Sequence, residues 1–276
     1  MVDHPKFSEI FYDIRKLYQF HAPVPELQEY IEFFSETSRD AMKRFIPTDK
    51  FAVALFPSFT PTIWINLGSP YSLSNGIRTQ QIDKNLDILV LRSTVLERDN
   101  FSTDNIFTIK FKPLGFESIF GVSQARIGNE IVSASEILPE RVIRKLREQI
   151  DLKEKSLFLE KFFLDMLSKN STDQFHLCCI KRSIGLFLNS NMDVSLSEIA
   201  SQLHISEKTF NRYFHQIVGT NPKYFFSTVR CRLSLTHYKQ EPRQFSPYHF
   251  GYYDFSHFSK EVKRFTGANL TSFLQS

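Results

Sequence analysis

The tightest constraint in the chain lies between Val194 and Pro222, VSLSEIASQLHISEKTFNRYFHQIVGTNP. Ser195 and Glu198 have the spacing of a capping box, in which each side chain satisfies a free backbone N–H at the other residue. Val194 and Ile199 occupy the two positions of a hydrophobic staple around that cap. Leu196, Ile199, Ala200 and Leu203 then share one helical face. After a break at His204-Ile205-Ser206, Ser206 caps a second helix. In it Phe210 and Phe214 turn inward with Ile205, which leaves Lys208, Asn211, Arg212 and His215 outside, and Gly219 is a C-terminal stop. Two short helices joined by a three-residue turn, the second rich in outward donors, suit entry into a DNA major groove. An ordinary packed helix pair with basic surface residues is the other reading of this stretch.

Charge supports the first reading. From Cys178 to Ser276 there are 12 Lys+Arg and 6 Asp+Glu, a net of +6, whereas the first 177 residues carry 22 and 24, a net of −2. The basic excess therefore sits where a phosphate-facing surface needs it. At 276 residues the chain is long enough for two domains with real cores, and 42% apolar content with 29 Phe excludes a mainly disordered protein. Cys178, Cys179 and Cys231 form no paired framework and fit no metal spacing, so a reducing compartment is expected. Charges interrupt Met1 to Phe20, leaving no signal pattern, and no apolar run approaches membrane-spanning length. A cytoplasmic protein with no membrane partner is expected.

Along the chain, Met1 to Pro25 reads as an irregular or partly extended lead-in broken by Pro5, Pro23 and Pro25. Pro25-Glu26 opens a short helix whose apolar face would be Leu27, Tyr30, Ile31 and Phe34. Strands are expected at Phe51–Phe56, Thr62–Leu67, Leu86–Leu91 and Ile106–Phe111, all β-branched or aromatic between turn residues. A short helix at Phe116–Phe120 stops near Gly121. Further helices are expected from Glu140 to Ile150, and from Leu157 to Leu167 with Ser156 as cap. The polar run Lys169-Asn170-Ser171-Thr172-Asp173 is the expected domain boundary. A helix from about Gln174 to Leu188 leads into the stretch described above. Lys223 to Lys239 follows as a long connecting helix that buries Phe225, Phe226, Val229 and Leu233. A second unit ends the chain, with Asp254 as cap, Phe258, Val262 and Phe265 inward, and Gly267 as stop. Ser256, Ser259, Lys260 and Lys263 are left more exposed.

The fold class expected is α+β for residues 1–170, a mainly antiparallel sheet or small barrel (strands about 51–112) with helices (about 140–168). Residues 171–276 are expected to be all-α, with helix-turn-helix units at about 194–218 and 246–267 joined by a long helix.

Ile199-Ala200, Leu203, Ile205-Ser206, Phe210, Arg212, Phe214, Gly219, Pro222 and Arg230 resemble the first half of the AraC/XylS-type DNA-binding domain. Gly251-Tyr252 through Asp254, Ser256-His257-Phe258, Phe265 and Gly267 resemble its second half. Leu27–Phe34, the Pro57 turn before Ile63–Gly68, Phe111-Lys112-Pro113-Leu114-Gly115 and Gly128–Leu138 resemble the N-terminal domain of one AraC-like subgroup. The resemblance implies a transcription regulator that places its two units in successive major grooves of double-stranded DNA. Its N-terminal domain would be sensory or assembly-forming. Contact with RNA polymerase, a small-molecule effector and a homodimer come with that implication. Carried onto this sequence, Lys208, Asn211 and Arg212 contact bases or nearby phosphates, His215 is structural or lies near phosphate, and Phe255, Ser256, Ser259, Lys260 and Lys263 belong to the second reading face, with a partly buried support residue as the other reading of Phe255. Asn can read adenine, Arg guanine, and Phe255 a thymine methyl. His215 and His257 have no metal-ligand company, and no cofactor is expected.

Three departures stand out. Ser246-Pro247 replaces the family's Ile-Ala pair, which requires a short or irregular first helix in the second unit. The linker is about two residues shorter than usual, and His237-Tyr238 occupies its Leu-Leu position. A regulator with a degenerate DNA-binding half, acting by protein contacts, is the alternative these departures raise. An enzyme with an N-terminal pocket is the other, but no HExxH, GxSxG or phosphate-binding glycine loop supports it. Asp83, Asp87, Asp99 and Asp104 read as turn and loop residues.

Overall fold

The computed structural model describes residues 5–128, 131–170 and 175–273. Eleven strands fill the N-terminal half: β1 (Lys6–Ser8), β2 (Tyr18–His21), β3 (Ile31–Thr37), β4 (Lys50–Leu55), β5 (Thr62–Asn66), β6 (Tyr71–Ser74), β7 (Thr79–Ile82), β8 (Ile88–Val90), β9 (Leu96–Phe101), β10 (Ile106–Phe111) and β11 (Ile131–Ser133). They form a sheet ordered β1-β4-β9-β6-β7 and a second ordered β11-β8-β5-β10-β3-β2. Pairing is antiparallel apart from β1, which runs parallel to β4. The helices are α1 (Tyr12–Arg15), α2 (Arg39–Phe45), α3 (Gly115–Phe120), α4 (Glu140–Glu148), α5 (Leu152–Lys169), α6 (Phe175–Asn189), α7 (Leu196–Gln202), α8 (Glu207–Ile217), α9 (Pro222–Gln240) and α10 (Phe255–Thr266).

The period-2 alternation of β5 builds three layers. Trp64 points between the two sheets, where it joins Phe51, Val53, Leu55, Tyr71, Leu73 and Ile106. Ile63 and Ile65 point the other way, into a core closed by Phe116 of α3, Leu146 of α4 and Phe163 of α5. Every residue of β5 is buried, which accounts for its mixture of alternation and continuous apolarity. Of the expected strands, Ile106–Phe111 keeps its bounds and the other three shift by one or two residues at their ends.

The helix expected through Leu27, Tyr30, Ile31 and Phe34 is not formed. Only Pro25–Leu27 makes a 3₁₀ turn, and Ile31 begins β3. The reason is a bulge. Lys110 pairs with Phe33 but Phe111 pairs with Ile31, so β3 carries one extra residue against β10. That extra residue puts Ile31 and Phe34, three apart, on the same buried face, imitating helical spacing.

Three smaller expectations are also corrected. Helix α5 starts five residues before Leu157, and its cap is Asp151, whose carboxylate accepts the Glu154 N–H at 2.8 Å. Ser156 lies inside the helix and donates to the Leu152 carbonyl at 2.7 Å. Leu233 on α9 is 41% exposed; Cys231, Ser234, Leu235 and Tyr238 are the buried residues there. Among the aspartates, Asp99 lies within β9; Asp87 does stand in the loop before β8, where it is buried and both its carboxylate oxygens accept from Arg147 Nη2, at 2.7 and 2.8 Å. Residues 171–173 of the expected boundary, Gln174 of the expected helix start, and 129–130 lie outside the described residues. Among the described residues no helix is long and apolar enough to cross a membrane.

Candidate nucleic-acid interface

The first unit forms as its caps dictate. Ser195 Oγ accepts the Glu198 N–H at 3.2 Å, and the Glu198 carboxylate accepts the Ser195 N–H at 2.8 Å. His204, at φ 56°, makes the left-handed turn out of α7. Ser206 Oγ then accepts the Thr209 N–H at 3.1 Å to start α8. Phe210 and Phe214 are fully buried and meet edge-to-face at 5.1 Å. Phe214 stands 5.4 Å from both Phe225 and Phe226 at the start of α9. These rings fix α8 on α9 and turn its other face outward. Lys208, Arg212 and His215 are exposed there, and Asn211 is half-buried with its amide donating to the Glu207 carbonyl at 2.9 Å. Arg212 has no carboxylate partner among the described residues and lies over the Tyr213 ring at 5.5 Å.

The second unit differs at its first helix, as Ser246-Pro247 requires. Pro247–Phe250 is a single 3₁₀ turn that ends at Gly251. Gly251 has φ +67°, and a Cβ there would meet the Met192 carbonyl oxygen at 2.6 Å, so the two units touch where only glycine fits. Asp254 caps α10 by accepting the His257 N–H at 2.7 Å. In place of an aliphatic core, His237-Tyr238 joins an aromatic cluster. Phe245 meets Phe258 in a tilted pair at 4.7 Å, and Tyr238 meets Phe258 at 5.6 Å. Phe255 lies at the edge of that cluster and is still 47% exposed. Ser256, Lys260 and Lys263 are exposed and Ser259 is half-buried.

A buried ion pair fastens α10 to α9. Arg230 donates through Nε and Nη2 to the Glu261 carboxylate at 3.1 and 2.7 Å, and through Nη1 to the Gly251 carbonyl at 3.3 Å. Its guanidinium covers the Tyr252 ring at 4.5 Å, and the Tyr252 hydroxyl donates to Glu261 at 2.9 Å. Glu261 is therefore a core residue of the second unit. It does not dilute the outer charge, as its type alone suggests.

Sequence reasoning missed the contacts between the sheet domain and both units, which come from loops with no local signature. Gln124 donates its amide to the carbonyls of Phe59 and Val218 at 2.8 and 3.1 Å, capping the end of α8. Phe59 and Leu114 enter the core of the first unit. Ile10, Phe11 and Phe56 enter that of the second.

Between the sheets and α9 lies a cavity of about 220 Å³. Ile14, Phe33, Val53, Leu55 and Trp64 give it an apolar wall, and Arg92, Arg98, Lys110 and Arg232 line it with positive charge. Burial, with the neighbouring Arg232 and Arg92, outweighs the carboxylates and brings Lys110 down to about 8. Asp104, buried behind the wall, is pushed up to about 6 by burial against the opposing pull of Arg98. Among the described residues no group of three or more His, Cys, Asp or Glu could hold a metal ion.

Two helix-turn-helix units on one long helix define a DNA-binding domain. Residues 199–276 match a family model described as a helix-turn-helix domain. The matched span takes in α8, the long connecting helix α9 and α10. No curated protein matches it by sequence. Among solved structures, ToxT from Vibrio cholerae is 13% identical, covers 94% of this chain and 98% of its own, and has a TM-score of 0.48. An unsaturated fatty acid-bound form of wild-type ToxT from Vibrio cholerae strain SCE256 is 15% identical over 82% of this chain and 90% of its own, at 0.46. The AraC-like transcriptional activator CuxR is 13% identical over 81% and 89%, at 0.28.

Proposed function

We propose that residues 171–276 bind double-stranded DNA sequence-specifically and regulate transcription, and that residues 1–170 sense an effector through the cavity against α9. In this reading Lys208, Asn211, Arg212 and His215 on α8 form one DNA-contacting face. Phe255, Ser256, Ser259, Lys260 and Lys263 on α10 form the other. The observation that carries it is the pair of outward polar faces held on one helix, α9, by two separate buried cores. The effector class follows from the cavity: apolar walls beside several cations favour a small amphipathic anion. Contact with RNA polymerase, a homodimer and a cytoplasmic location belong to the same proposal and rest on the resemblance.

Selection of bound fragments from a random duplex library, then titration at two salt concentrations, tests the DNA-binding reading. A recovered motif longer than one groove, with steep competition over random DNA, supports two reading units. Strong binding without preference, or none by folded protein with and without an anionic effector, refutes it.

A further inference from the structure

The cavity's positive charge already has a partner, and that partner comes from the chain itself. Glu9, just after β1, is half-buried with its carboxylate against Arg92, Arg232 and Lys110. Arg232 donates Nη1 to Oε1 at 2.5 Å and Nη2 to Oε2 at 3.2 Å, and Lys110 Nζ lies 3.9 Å from Oε2. Burial alone would raise the Glu9 carboxyl, but Arg232, Arg92 and Lys110 outweigh it and hold the group well below the usual carboxylate range. Two of these cations belong to the sheet domain and the third to α9. Lys110 has a second carboxylate, Glu32 at 3.4 Å, that stays partly in solvent. Glu9 is thus the carboxylate shared by all three.

Glu9 also sits on a strap. Its N–H bonds the Ala54 carbonyl at 2.9 Å, and β1 before it is a three-residue edge strand. The next residues, Ile10 and Phe11, are buried in the core of the second DNA-binding unit, where Phe11 meets Phe273 at 5.7 Å and underlies Lys239 at 4.5 Å. The strap is short, and it joins the sheet along one edge only, through β4.

We propose that Glu9 is a tethered counter-ion that competes with the effector's anionic group for Arg92, Lys110 and Arg232, so that effector binding displaces the 6–11 strap from α9. This rests on the reading of the cavity as an anion-binding effector site. Three cations packed together repel one another unless an anion stands among them, and one anion position serves either Glu9 or a ligand. The apparent affinity of a ligand is reduced by the fraction of molecules in which the competitor holds the site. Removing the competitor must therefore tighten binding of anions and leave neutral analogues little changed.

The test uses the full chain, with octanoate as probe and octanol as its neutral control, by calorimetry. Glu9→Gln is expected to bind octanoate roughly tenfold more tightly than wild type, as for a competitor that fills the site about nine-tenths of the time, with octanol unchanged. Wild-type binding that is equal or tighter than that of Glu9→Gln overturns the competition and leaves the effector cavity standing. No octanoate binding by either folded protein overturns both. Should Glu9→Gln not fold, hydrogen exchange on wild type decides. Saturating octanoate must speed exchange of the Glu9 amide, and an unchanged rate with octanoate bound overturns the proposal.

Discussion

Replacing Glu261 by Gln tests whether the second unit is built as a DNA-reading element or merely packed beside the first. Gln keeps the shape of Glu but sets an amide against the Arg230 guanidinium and the Tyr252 hydroxyl, which now donate to a carboxylate. Removing one partner of a buried ion pair costs about 3–5 kcal/mol, because the other charge stays buried and unpaired. Arg230 keeps 16% side-chain exposure and its bond to the Gly251 carbonyl, so the cost belongs near about 3 kcal/mol. That corresponds to roughly a 150-fold increase in the opening equilibrium of α10. Hydrogen exchange at the buried amides of Phe258 and Val262 measures it directly, and the DNA footprint should shorten at one end. A paired swap, Arg230→Met with Glu261→Leu, should recover most of the lost protection, since an apolar pair leaves no charge stranded. Exchange within a few-fold of wild type in Glu261→Gln, with an unshortened footprint, refutes the reasoning.

Other predictions probe separate links. Lys208→Ala and Arg212→Ala should weaken binding to the selected site. A phosphate contact lowers the salt slope by about 0.9 and weakens all sequences alike, whereas a base contact costs about 1–3 kcal/mol on the selected site only. Gly251→Ala forces a methyl toward the Met192 carbonyl at positive φ and should lower the melting temperature of the C-terminal domain; an unchanged melt refutes the close-contact account. Burial pushes the Glu117 carboxyl up to about 7, and its Oε2 has no protein hydrogen-bond partner among the described residues. The folded protein then holds a proton that the unfolded chain releases, so this group's contribution to stability falls as pH rises from about 4.5 to about 7. Glu117→Gln should therefore match wild type near pH 4 and be more stable at pH 8, by about 1–2 kcal/mol once partial solvent access is allowed for. Equal melts at both pH values refute it.

The helix-turn-helix half was legible because its signals are local. Ser195, Ser206 and Asp254 each bond a backbone N–H three residues on, a relation visible in the sequence. The sheet half was legible only where strands are apolar on both faces. Thr79-Gln80-Gln81 of β7 and Glu97-Arg98-Asp99-Asn100 of β9 carry mostly polar side chains, and their pairing partners, not their composition, make them strands. The bulge in β3 turned strand periodicity into apparent helical periodicity. The site was half legible for a related reason. Outward donors on α8 and α10 follow from capping and spacing, but the cavity joins residues as distant as Glu9 and Arg232, which no local pattern relates.

The arrangement of α9 decides how a signal in that cavity could reach DNA. Arg230 and Arg232 lie two positions apart, so about 200° of helical rotation separates them. They accordingly reach different partners, Glu261 of the second unit and Glu9 of the strap. Phe225 and Phe226, at the start of the same helix, hold the first unit. A continuous helix of 19 residues cannot absorb a shift at Arg232 by bending at a proline or glycine, because Pro222 stands at its first position and no glycine interrupts it. Movement of Arg232 must therefore rotate or slide α9 as a unit, and α8 and α10 with it. Otherwise it must be taken up by the side chain alone. These outcomes separate cleanly in the double variant Glu9→Gln, Arg232→Gln. If α9 carries the signal, octanoate should no longer change this variant's affinity for the selected DNA, while it still changes that of wild type. A change as large as the wild type's sends the signal through another contact, the Gln124 bonds to Phe59 and Val218 being the next to test.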